Sequence, residues 1–273
     1  MLSQVYKAFI SSPIFISLVF VFVAIFSCRL YRVAASPTIL LLAFLTTVAV
    51  YSLNRVTDQT EDTINKSNQN PKNQSYFIMS TATCHIIVLT VSIIMGIQVF
   101  LVFITPLVIG FIYSVKIFKP LPRLKTVLGV KNIAVAFSWA FTGSLLPILT
   151  GTASIKEISL VFLYIFIQFF IGAVLFDNFD TVGDKAVNVK TIPLQLGKKK
   201  NRQFLLTINS LLLLWLIYCI TTSTFTKYLP AIIFGILHSY VNIWYFTTDK
   251  PKKQLKEILI DGQWISITIL CCL

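Results

Sequence analysis

Apolar residues occupy this chain in runs far longer than a soluble helix or strand requires, and short polar or charged segments separate them. A helix covers about 30 Å of hydrocarbon with roughly 20 apolar residues. Runs of that order are predicted as spans over Ala8–Cys28, Val33–Leu53, Tyr76–Met95, Ile97–Val115, Ile133–Ile155, Ile158–Phe176, Phe204–Phe225, Tyr228–Phe246 and Ile258–Leu273. The third and fourth form one apolar stretch of about 40 residues, too long for a single crossing, and Gly96-Ile97-Gln98 is its natural break. The last is the shortest and carries Asp261, which reads equally as a functional group or as a helix-packing residue. Barrel strands span in about 10 residues with strict alternation, so these runs predict helices. The expected fold is all-α, a polytopic membrane bundle of about nine transmembrane helices in a single domain over residues 1–273. The first span has no small-residue cleavage site and a second follows closely, so it is expected to be part of the mature structure.

Composition agrees: 56% of residues are hydrophobic and only 12% charged, which excludes an ordinary soluble domain. Basic residues outnumber acidic ones 23 to 10. When successive loops are assigned to alternate faces, one face receives every Lys and Arg except Arg29, Arg32, Lys156 and Lys227. By the positive-inside rule this puts the N-terminus and the even-numbered loops in the cytoplasm. The net charge of +13 then follows from topology and from anionic lipid or substrate, and no nucleic-acid partner is expected. Five cysteines without metal-ligand spacing read as small apolar side chains, and His85 and His238 as lone interhelical hydrogen-bonding groups.

Carboxylates are scarce and clustered. Asp58, Glu61, Asp62, Asp177, Asp180 and Asp184, six of the ten acidic residues, lie in two short segments at the ends of the second and sixth runs. Asn54, Asp58 and Asp62 recur at i, i+4 and i+8, and Asp177, Asp180 and Asp184 at i, i+3 and i+7, so each set projects from one face of a helix end. Unpaired charge near hydrocarbon costs about 2.5–3.5 kcal/mol per residue on insertion scales, which calls for a compensating cation. Mg²⁺ suits oxygen ligands and is commonly held by one or two carboxylates together with substrate phosphate oxygens. Lys190, six residues beyond Asp184, and the basic loop Lys116–Lys125, with Arg123 and Lys125, are candidates to grip a diphosphate. Solvated helix ends in ordinary loops are the plain alternative.

Asn54-x3-Asp58-x3-Asp62 after the second span and Asp177-x2-Asp180-x3-Asp184 after the sixth closely resemble the motifs of the UbiA superfamily of intramembrane prenyltransferases. The segment Lys190-Thr191-Ile192-Pro193-Leu194-Gln195-Leu196-Gly197 and the stretch from Tyr113-Ser114 to Lys131-Asn132 resemble the family as well, and the likeness covers nearly the whole chain. It implies a helix bundle around a central lipid-accessible cavity, capped by cytoplasmic loops. It also implies Asp58, Asp62, Asp180 and Asp184, assisted by Asp177, as the Mg²⁺ and catalytic set. Asn54, Tyr113, Arg123, Lys125 and Lys190 are the implied substrate-binding positions. The expected reaction transfers an isoprenyl group from an allylic isoprenyl diphosphate to a lipophilic acceptor, by ionisation of the diphosphate and capture of the carbocation. A membrane terpene cyclase using the same metal site is the alternative. A transporter or lipid-binding protein fits less well, because the acidic residues sit at span ends and not within spans.

Overall fold

The computed structural model describes residue 6 and residues 8–58, 74–115, 126–186, 189–249 and 251–273. Nine α-helices of ten or more residues run through these segments, with no β-strand among the described residues: α1 Pro13–Tyr31, α2 Pro37–Thr57, α3 Gln74–Met95, α4 Ile97–Ser114, α5 Val130–Leu145, α6 Ile155–Ala186, α7 Ile192–Thr221, α8 Leu229–Phe246 and α9 Gln263–Cys272. Seven of them, all but α4 and α9, belong to segments long and apolar enough to cross a membrane. Apolar side chains remain exposed along their outer faces, including Ile86 and Ile94 of α3, Leu214 of α7 and Trp244 of α8. That surface suits lipid, which provides no hydrogen-bonding partner and therefore demands helices with internally satisfied backbones.

Local sequence sets the helix boundaries. Ser12 caps α1 by accepting from Phe15 N–H, with Pro13 at the first helical position. Arg32, in the left-handed conformation (φ 58°), ends it through bonds from Arg32 N–H to Arg29 C=O and from Val33 N–H to Cys28 C=O. The long third run breaks where expected: Gly96, at φ 116°, separates α3 from α4. Ser154 and Glu157 form a reciprocal capping box at the start of α6, with Ser154 N–H donating to Glu157 Oε2 (2.8 Å) and Glu157 N–H to Ser154 Oγ (3.2 Å).

Two spans differ from expectation. The sixth continues as helix through Ala186, and at 1.5 Å per residue its 32 residues reach about 48 Å, beyond the roughly 30 Å of hydrocarbon. The acidic stripe of Asp177, Asp180 and Asp184 therefore stands within the helix, on one face as its spacing predicts. The ninth is not one continuous span from Ile258: a turn of π-helix over Glu257–Asp261 leads into α9, whose ten residues are too short to cross alone.

Consecutive helices pack as neighbours, and α9 returns to α1, closing the bundle into a ring. Thr268 Oγ1 of α9 donates to Phe22 C=O of α1 at 2.9 Å. Trp264, on α9, stacks on Phe169 of α6 and meets Phe26 of α1 edge-on, with centroids 5.3 and 5.6 Å apart. Close approach also needs a glycine at position 235, where an added Cβ would overlap the Tyr164 hydroxyl. The charged residues divide between the two ends of the ring. Arg32, Lys156 and Glu157 share a pocket at one end, while Arg55, Asp58, Lys131, Asp177, Asp180 and Lys256 share a cavity at the other.

Candidate active site

That cavity has a volume of about 310 Å³ and lies between α1, α2, α4, α5, α6 and the Glu257–Asp261 turn. Its polar rim is formed by the ends of three helices. Asn54 and Asp58 come from the end of α2, Lys131 from the start of α5, and Asp177 and Asp180 from the last turns of α6. Tyr51, Trp139, Phe169 and Phe176 line the cavity below them. Phe169 precedes Asp177 by eight residues on one helix, so the aromatic floor lies about 12 Å below the acidic rim. Trp139 and Phe169 stack with centroids 4.3 Å apart and planes inclined by 15°. The arrangement accommodates a molecule with a charged head and an apolar tail.

Each rim group is held by named partners. Asn54 Oδ1 accepts a short hydrogen bond from Ser114 Oγ of α4, fixing α2 against that helix. Arg55 Nη2 donates to Ser11 C=O at 2.6 Å, and Thr57 Oγ1 donates to Asp58 Oδ1 at 3.0 Å. Asp177 is 1% exposed, with both oxygens engaged: Lys131 Nζ lies 2.6 Å from Oδ1, and Asn132 Nδ2 donates to Oδ2 at 2.8 Å. Asp184 is also buried, 3.8 Å from the same ammonium, and does not line the cavity. Among the described residues Asp180 Oδ1, like Asp177 Oδ1 and Asp184 Oδ2, is buried and accepts no hydrogen bond, but it lacks the lysine that those two share.

The expected site residues therefore fall into three groups. Asn54, Asp58, Asp177 and Asp180 converge on one cavity, and Asp184 lies one turn beyond on the same stripe. Lys190 is exposed and outside the cavity lining, with its backbone N–H directed to Thr126 C=O. Asp62, Arg123, Lys125 and the side chain of Tyr113 lie outside the described residues. Lys131, Asn132, Lys256 and Glu257 enter the site without having been singled out for it, and Asp261 proves to be a lining residue. The available signal was the Lys-Asn pair opening the fifth apolar run.

Among the described residues, no three His, Cys, Asp or Glu side chains converge closely enough to hold a metal ion by themselves. The donor chemistry nevertheless fits Mg²⁺, which binds through one or two carboxylates and takes its remaining ligands from water and phosphate. Asp180, whose Oδ1 is buried without a hydrogen-bond partner among the described residues, lines the cavity that Asp58 shares. A buried carboxylate oxygen in that condition needs a cationic or donor partner.

Fold and cavity define an integral-membrane helical protein with an acidic, lysine-flanked headgroup site above an aromatic interior. The family model described as the UbiA prenyltransferase family matches residues 8–260, and the chain belongs to that family. It is thus a membrane prenyltransferase. Among solved structures it is similar to a UbiA homologue from Archaeoglobus fulgidus bound to GPP and Mg²⁺, with a TM-score of 0.70 and 16% identity over 93% of each chain. It is also similar to a UbiA homologue from Aeropyrum pernix K1, with a TM-score of 0.67 and 12% identity over 94% of this chain and 95% of that one. A structure of digeranylgeranylglyceryl phosphate synthase matches with a TM-score of 0.62 and 17% identity, over 94% of this chain and 91% of that one. At these identities the likeness establishes the fold. No curated protein sequence matches this one.

Proposed function

We propose that this prenyltransferase moves an isoprenyl group from an allylic isoprenyl diphosphate to a lipophilic acceptor, in a site formed by Asn54 and Asp58 of α2 and Asp177, Asp180 and Asp184 of α6. The observation that carries this reading is the convergence of acidic residues from two helices, far apart in sequence, on one cavity floored by aromatic rings. The A. fulgidus relative holding GPP and Mg²⁺ in the same fold supports the donor class and the metal. Residues 1–273 then act as a single prenyltransferase domain.

Asp58, Asp62, Asp180 and Asp184 would hold Mg²⁺, with Asp177 assisting, and the chemistry that ion supplies when bound is neutralisation of charge on the departing diphosphate. Asp177 fixes Lys131 at the rim through its 2.6 Å contact, setting a cation where the diphosphate oxygens gather. Arg123, Lys125, Lys190 and Tyr113 remain proposed contacts of the same headgroup. The tail runs down beside Tyr51, Trp139 and Phe169, whose ring faces favour positive charge and whose bulk keeps water from an allylic cation. The concentration of Lys and Arg at this end supports a cytoplasmic rim and N-terminus, with membrane lipid reaching the bundle from the side.

The test is to incubate purified protein with Mg²⁺ and labelled allylic diphosphates of several lengths, with and without a panel of lipophilic acceptors. Wild type should release diphosphate and label an acceptor, and Asp58→Ala and Asp180→Ala should each abolish release. Undiminished turnover in either variant rejects the assignment, and cyclic hydrocarbon formed without acceptor replaces transfer with cyclisation.

A further inference from the structure

Beside the acidic end of α6, the cavity wall is completed by the segment that joins α8 to α9. Here the backbone widens into the π turn Glu257–Asp261, closed by Gly262 N–H donating to Glu257 C=O at 3.0 Å. Single π turns inside helical segments are uncommon and concentrate at functional sites. This one is anchored on both sides. Buried Asn242 of α8 donates through Nδ2 to Leu259 C=O at 2.9 Å, and Ile260, 2% exposed, packs where α6 carries Gly172. A Cβ at position 262 would sit 2.3 Å from Ile258 C=O, so the widened path needs a glycine there.

The anchored turn holds Lys256 in an unusual state. Its side chain lines the cavity, yet the residue is only 5% exposed. The ammonium lies 5.0 Å from the Phe176 ring centroid and 5.4 Å from that of Phe179. The nearest carboxylate among the described residues is Glu257, with Oε1 at 4.0 Å, and Lys256 Nζ donates no hydrogen bond to any described residue. Two ring faces offset part of the cost of burying a cation, but they accept no charge-assisted hydrogen bond. Lys131, the other cavity lysine, instead has Asp177 at 2.6 Å. A buried ammonium of this kind, held rigidly and open to a cavity, is a donor awaiting an anion.

We propose that Lys256 is an oxyanion-binding residue of the substrate cavity. Resting on the prenyl-transfer reading, the oxyanion belongs either to the donor diphosphate or to an anionic headgroup of the acceptor, a carboxylate, phenolate or phosphate. In both cases Lys256 positions one substrate in the cavity that Asp58 and Asp180 also line, adding a third point of attachment to the ends of α2 and α6.

Calorimetric titration of the full-length protein in detergent separates these sources, using inorganic diphosphate with Mg²⁺ as one probe and 4-hydroxybenzoate as the other. Lys256→Gln keeps the stem and removes the charge, and should weaken one probe by about tenfold or more, the scale of a lost charge-assisted hydrogen bond. Lys256→Arg should stay within a few-fold of wild type. A loss confined to diphosphate assigns the donor, and a loss confined to 4-hydroxybenzoate assigns an anionic acceptor. Unchanged affinity for both in Lys256→Gln, at wild-type melting temperature, overturns the proposal, as does a wild-type protein that binds neither probe. Failure of prenyl transfer itself registers separately, as absence of diphosphate release from a labelled allylic diphosphate by wild type.

Discussion

Lys131 Nζ lies 2.6 Å from Asp177 Oδ1, and this contact joins the start of α5 to the acidic stripe of α6. The carboxylate is 1% exposed, and the lysine side chain 23%. Removing one partner of such a pair leaves a buried charge uncompensated, at about 3–5 kcal/mol. Lys131→Met should therefore destabilise the protein by about that amount, while Lys131→Met combined with Asp177→Leu should recover most of the loss. Thermal unfolding in detergent reads both. A single-variant cost below about 1 kcal/mol would mean that solvent screens the pair.

The stack of Trp139 on Phe169 closes the cavity beneath the rim. Replacing the indole by a smaller side chain opens depth for another isoprene unit, at about 0.8 kcal/mol for each methylene newly buried. Trp139→Leu should raise the preference for a C15 over a C10 allylic diphosphate by about tenfold or more in kcat/KM. Competition between the two labelled donors measures this. An unaltered ratio would place the tail elsewhere in the bundle.

Asp261 is half-buried, its open part lining the cavity, in the turn that precedes α9. Burial and then the neighbouring Glu257 hold its carboxyl well above the usual carboxylate range, with Lys256 opposing them. Between its unfolded value, about 3.9, and its raised folded value, the native state binds more protons than the unfolded one. Stability from this group is thus fully present at low pH and is lost as pH rises through the folded value. Asp261→Asn should flatten that fall, so the gap between variant and wild-type melting temperatures should widen in favour of the variant on going from pH 5 to pH 9. A constant gap across that range would mean that Asp261 keeps an ordinary carboxylate pKa.

Much of the molecule follows from composition and spacing alone. Apolar run length dictated membrane helices, because hydrocarbon leaves the backbone no other way to satisfy its polar groups, and Gly96 marked the break between α3 and α4. The spacing of Asp177, Asp180 and Asp184 put them on one helical face, since 3.6 residues per turn is a local property. What stayed hidden depends on which helices meet. Lys131 and Asn132 stood at the end of a stretch resembling the family, but without a role until α5 packs on α6 and brings them to Asp177. Lys256 read as a topological charge until the π turn buried it over Phe176 and Phe179. Lys190, adjacent to the motif in sequence, is exposed and outside the cavity lining, because position beyond a helix end is set by the tertiary path of the chain and not by residue count. Periodicity and hydropathy act between near neighbours along one helix, and so they determined the elements and the acidic stripe. Only the packing of α5 and of the π turn against α6 decided which cations meet that stripe, since contacts between distant segments exist only once their apolar faces have packed together.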